Sequence, residues 1–173
     1  CYDSPDEVKR FGQKCLEISR EFGKWQHELI ADQDLFDGSW ITLGWAPAGS
    51  MYFCEHSIVS YSPDTYQEFI YPLDQALTNS FEHCMFVGYC KTAGHLMDFY
   101  LGLPKVEVMQ SCEENLDSER IKKHLGRKHF VISCAPQDVR KTVEEFGTRG
   151  ICISTYCASI AESQALIESL KKR

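Results

Sequence analysis

The residues Phe81-Glu82-His83-Cys84-Met85-Phe86-Val87-Gly88-Tyr89-Cys90-Lys91-Thr92-Ala93-Gly94-His95-Leu96-Met97-Asp98-Phe99-Tyr100-Leu101 decide the fold. Residues 81–90 are apolar and aromatic, with Gly88 marking a bulge or bend. Lys91-Thr92-Ala93-Gly94 reads as a turn. Beyond it His95, Met97, Phe99 and Leu101 alternate with Leu96, Asp98 and Tyr100. Alternation of period two predicts a strand running back along the first, so the stretch reads as an antiparallel hairpin. Gly102-Leu103-Pro104 closes it.

Upstream the reading continues in the same sense. Residues 40–45 look like a strand and residues 46–50 like a turn. Residues 51–61 read as a second strand antiparallel to the first. Ser62-Pro63-Asp64 breaks it, residues 66–71 make a third strand, and residues 73–77 a short helical turn after Pro72. At the N-terminus, Ser4-Pro5-Asp6-Glu7 is a capping box with proline at the first helical position. Val8, Phe11, Cys15, Ile18 and Phe22 follow at spacings of three and four, a stripe expected to pack inward on a sheet, with Gly23 as the stop.

Downstream, Asp117 or Ser118 caps a helix through Leu125, and Gly126 ends it. Lys128-His129-Phe130-Val131-Ile132-Ser133-Cys134 is a short apolar strand ending on a cysteine. Ala135-Pro136 then opens a helix over residues 138–146, with Val139, Val143 and Phe146 inward. Residues 153–172 carry a last helix with a basic end. The predicted fold is α+β: an antiparallel sheet of about four strands flanked by N- and C-terminal helices, in a single domain spanning residues 1–173.

Composition bounds the function. The 173 residues are 43% hydrophobic and 12% aromatic, enough for a real core. A net charge of -7 argues against a general nucleic-acid binder. No apolar run is long enough to span a bilayer, and the start, Cys1-Tyr2-Asp3, carries no signal-peptide pattern. Nine cysteines stand at 1, 15, 54, 84, 90, 112, 134, 152 and 157, several inside apolar periodic segments. An odd count without loop spacing reads as mostly reduced thiols of a cytoplasmic protein.

Cys134 is the candidate for chemistry. A thiol at a strand end, before a helix N-terminus, is placed where a thiolate is most easily stabilised. Ser133, His129 and Asp138 are the polar candidates to support it. A metal site is the weaker reading. Cys54 and His56 share a strand face, and His83, Cys84, Cys90 and His95 flank the hairpin, but no C-x-x-C pair exists. Nothing implies a metal or a small cofactor.

Several stretches together resemble the autophagy-related ubiquitin-like conjugating enzymes. They are the helix with Phe11, Cys15, Ser19, Gly23 and Trp25 leading to Asp37-Gly38, and the hairpin of residues 82–101. Residues 125–134, ending on Cys134, and residues 153–160 complete the set. In that family the cysteine follows a His-Pro pair; here Ser133 precedes it and the proline follows. The resemblance implies a ubiquitin-conjugating-enzyme-like fold and a transferase of the ubiquitin-like conjugation pathway of autophagy. Cys134 would carry a ubiquitin-like modifier as a thioester, received from its activating enzyme and passed to a lysine of a target protein. The alternative is a non-enzymatic interaction module or adaptor, with Trp25, Trp40, Trp45 or Tyr61 on its contact surface.

Overall fold

The computed structural model describes residues 3–31, 39–41, 44–46, 50–54, 57–87, 93–112 and 117–171. The chain opens with α1 (Pro5–Ala31), a helix of 27 residues. It begins at the proline of the capping box but does not stop at Gly23. Two short strands, β1 (Ser39–Ile41) and β2 (Gly44–Ala46), pair antiparallel as a small hairpin.

The main sheet follows: β3 (Ser50–Cys54), β4 (His83–Val87), β5 (Val106–Cys112), β6 (His129–Ser133) and β7 (Ile151–Ser154). The strands lie side by side in chain order, and every pairing is parallel. Parallel neighbours need a crossover, and here the crossovers are helical. Between β3 and β4 run α2 (Pro63–Thr65), a π-helical stretch (Tyr66–Ile70) and α3 (Tyr71–Thr78). Then come α4 (Met97–Gly102), α5 (Ser118–His124) and α6 (Val139–Phe146), one per connection, and α7 (Ile160–Lys171) closes the chain.

This overturns the antiparallel, ubiquitin-conjugating-enzyme-like sheet with helices at its ends. The decisive stretch is a strand followed by a helix, not a hairpin. Leu96, Met97, Tyr100 and Leu101 are all buried. That is helical spacing, and the alternation of period two over the same residues is incidental. The strand that pairs with β4 is β5, a segment to which the sequence reading gave no strand. The two other expected strands are displaced as well. Residues 57–60 turn into a 3₁₀ helix after β3, and residues 66–70 are π-helical. There Tyr66 and Phe69 are buried and Ile70 is half-buried, again one helical face.

One core holds these layers together. Tyr66, Leu96, Tyr100, Leu101, Ile121 and Phe146 from the crossovers pack with Cys84, Val106, Met109, Phe130 and Ile132 from the strands. On the opposite strand face Val108, Gln110 and Val131 are buried as well. A strand buried on both faces is what a central parallel strand requires. Gly126 turns the chain from α5 into β6 at φ 91°, and Gly147 ends α6 at φ 78°, both in the region that favours glycine.

At the amino edge of β6 the Lys128 side chain is buried, and its Nζ donates to Leu103 O at 2.9 Å and Val106 O at 2.5 Å. It ties the β4–β5 crossover to the sheet.

Candidate functional site

Cys134 sits at the carboxyl edge of the sheet, where open parallel sheets commonly place their ligands. Its geometry is that of a core residue. The Cys134 N–H donates to Ser154 O at 3.1 Å, so the residue prolongs the β6–β7 ladder. Two residues on from Ile132 and four from Phe130, it falls on the core face of the strand. Only 8% of it is exposed. Ala135 is extended, and a 3₁₀ turn (Pro136–Asp138) intervenes before α6.

The expected supporting residues do not converge on it. Ser133 points to the other strand face, where its Oγ accepts from Gln110 Nε2 at 3.4 Å. His129 is exposed at the amino end of β6, about 16 Å along the strand from the thiol. Asp138 precedes α6 and makes no side-chain cap; its backbone oxygen accepts from Thr142 Oγ1 at 3.0 Å.

The metal reading separates too. His83 Nδ1 lies 2.9 Å from Glu107 Oε1. Cys84 beside it points into the core at 1% exposure. Burial foremost, helped by Glu107 and opposed by Lys105, pushes the Cys84 thiol up to about 12. It is a protonated core thiol at neutral pH. His95 is exposed and contacts Tyr61 O at 2.8 Å through Nε2. Among the described residues no cluster of three His, Cys, Asp or Glu side chains could hold a metal. His56 and Cys90 lie outside them, as do the side chains of Trp40 and Trp45.

The unusual surface is α1. Phe11 is 71% exposed, Ile18 62%, Phe22 52%, Trp25 54% and Leu29 52%, and Cys15 among them is exposed. Of the stripe expected to face the core, Phe11, Cys15, Ile18 and Phe22 face outward, and Val8 is half-buried. The helix packs instead through a face of small residues and Leu16. A Cβ on Gly12 would lie 2.6 Å from Leu73, and one on Gly23 would lie 2.5 Å from Phe81. Glycine at both positions lets α1 lie close against α3 and the sheet. Arg20 fastens the middle, donating to Ala76 O at 2.9 Å, and Lys9 pairs with Glu68 at 2.8 Å.

Beside the stripe a crevice of about 340 Å³ opens between α1 and the π-helical stretch with α3. Val8, Phe11, Phe69, Leu73 and Leu77 line it, with Asp74 at its base. Asp74 is buried and accepts a hydrogen bond from the buried Tyr66 hydroxyl. A second cleft, of about 640 Å³, separates α7 from α6 and β7. Its walls include Val139, Val143, Ile153, Leu166 and Ile167, and Arg140 Nη2 bridges it to Ser169 O at 2.5 Å.

Sequence reasoning missed this site because it assumed that the apolar stripe of α1 is the inward one. Gly12, Leu16 and Gly23, recurring on one helix face, were the available signal. No family model, no curated protein and no solved structure matches the chain. No helix among the described residues is long and apolar enough to cross a membrane.

Proposed function

We propose that this chain is a non-enzymatic protein–protein interaction module whose docking face is the outer stripe of α1. The carrying observation is the contiguous exposure of Phe11, Cys15, Ile18, Phe22, Trp25 and Leu29 along one helix. Aromatic side chains present roughly 150–250 Å² each when fully exposed, so the stripe shows on the order of 600 Å² of apolar surface. That is at or above the largest patch of an ordinary monomer, and such patches mark interaction sites. Trp25 belongs to it, as the adaptor reading expected; Tyr61 is half-buried and lines the neighbouring crevice.

The transferase reading asks for more than position. A thioester carrier must offer its sulfur to an activating enzyme, a ubiquitin-like modifier and a target lysine in turn. Cys134, with its sulfur on the core face, offers little surface to such partners. Its place at the carboxyl edge of the sheet is what speaks for it. Exposed Cys15 suits a reducing compartment such as the cytoplasm.

The test is the variant Ile18→Glu/Phe22→Glu in dilute solution. A docking face tolerates charge, so the variant keeps the native circular dichroism and a cooperative melt, and its retention on a phenyl matrix falls. Were the stripe internal, two buried charges would cost several kcal/mol, on the order of the whole stability of a small domain. An unfolded variant would therefore refute the module reading.

A further inference from the structure

The stripe repeats with a regularity that one docking ridge does not need. Val8, Cys15, Phe22 and Leu29 fall seven apart, and Phe11, Ile18 and Trp25 fall seven apart between them. These are the a and d positions of a coiled-coil seam sustained over the helix. We infer that the occupant of this face is the α1 helix of a second copy of the chain, paired antiparallel about a two-fold axis between Cys15 and Ile18. This rests on the module reading and names its partner.

Three observations select that partner. The first is size. In an antiparallel pair each a position layers against a d position, so with the two-fold between Cys15 and Ile18, Cys15 meets Ile18 of the other copy, Val8 meets Trp25, and Phe11 meets Phe22. Parallel pairing would stack Phe22 on Phe22 and Cys15 on Cys15, alternating crowded and hollow layers, which packs poorly.

The second is charge. The whole chain carries -7, yet α1 has five basic residues (Lys9, Arg10, Lys14, Arg20, Lys24) and five acidic ones (Asp6, Glu7, Glu17, Glu21, Glu28). A neutral helix meets its own copy without net repulsion. Along the free flank of the seam stand Glu7, Lys14, Glu21 and Glu28. Antiparallel pairing sets Lys14 of each copy against Glu21 of the other, twice by symmetry. Glu7 against Glu28 is the like pair, at the helix ends, and Arg10 lies 3.9 Å from Glu7 to offset it. Exposed pairs contribute little energy but fix register.

The third is area. Two stripes closing on each other remove about 1,200 Å² from water, the lower bound of a specific interface. The dimer is therefore expected to dissociate on dilution.

Sedimentation velocity over a concentration series tests this. The wild-type chain should shift from monomer to dimer with rising concentration. Ile18→Glu, beside the two-fold, should weaken dimerisation at least about a hundredfold, and Phe11→Glu serves as a second disrupting variant. Lys14→Glu should weaken it about tenfold, and Lys14→Glu/Glu21→Lys in the same chain should restore it. A wild-type chain that stays monomeric throughout overturns the inference. So does a dimer that survives both disrupting variants, or a charge reversal that does not rescue. A monomeric wild type whose Ile18→Glu/Phe22→Glu variant still folds leaves the docking face standing without this partner. A variant that unfolds removes both.

Discussion

Gly23 in the middle of α1 lies against the ring of Phe81, so close that a Cβ would come within 2.5 Å of its Cζ. Phe81 is itself buried in the core. The glycine therefore sets the distance between the N-terminal helix and the body of the protein. Gly23→Val must move a packed aromatic ring or lift the helix, and is expected to destabilise by about 1–3 kcal/mol. Gly12→Ala meets only the tip of the half-buried Leu73, and the gain in helix propensity of about 1 kcal/mol offsets the contact. Urea midpoints of the two variants should separate, with Gly12→Ala within about 0.5 kcal/mol of wild type.

The buried Tyr66 hydroxyl donates to Asp74, eight residues on in the first crossover. Tyr66→Phe keeps the ring, with its neighbours Phe99 and Tyr100, and removes one donor from a buried carboxyl group. A cost of about 1–3 kcal/mol is expected in chemical denaturation. A neutral result would show that Asp74 is satisfied without the Tyr66 hydroxyl.

Lys128 gives the protein a pH signature. Burial foremost lowers its pKa from the ordinary 10.5, with Glu107 opposing. Between the lowered value and 10.5 the unfolded chain holds more protons than the folded one, so this lysine's contribution to stability rises with pH across that window. Cys84 works the other way. Its thiol is raised from 9.0 to about 12, so stability is present below 9.0 and is lost as pH climbs toward 12. The difference between wild type and Lys128→Met isolates the lysine. That difference should move in favour of wild type as the pH is raised toward 10.5; a flat difference contradicts the assignment.

The legible parts of the fold were those where one signal stood alone. Phe130-Val131-Ile132 is a β-branched and aromatic run between a glycine and a proline, and it is β6. Asp117 accepts from the Arg120 N–H at 3.2 Å and caps α5 as its residue type suggests. The sheet's direction was lost where two periods overlap. Residues 95–101 satisfy alternation, but also put Leu96, Met97, Tyr100 and Leu101 on one helical face, and tertiary packing chose the helix. β5 was hidden because Glu107, Gln110 and Ser111 dilute its apolar character, although Gln110 is only 2% exposed. The candidate site suffered from a similar ambiguity. α1 has an aromatic stripe and a glycine-rich face, and only the shapes of Leu73 and Phe81 show which one packs inward. Cys134 was rightly placed at a strand end, but its side-chain direction depends on how far the β6–β7 ladder runs, and it runs to residue 134 itself.

The central claim is that the functional surface of this chain is the outer face of α1. Competitive alkylation of the native protein, in dilute solution and read by mass spectrometry at each cysteine, tests it most directly. Cys15, exposed in the middle of the stripe, should label ahead of Cys84 and Cys134. Cys84, with its thiol near 12, and Cys134, 8% exposed, should label at the rate of unfolding. A native Cys134 that outpaces Cys15 would contradict the account and return the function to the carboxyl edge of the sheet.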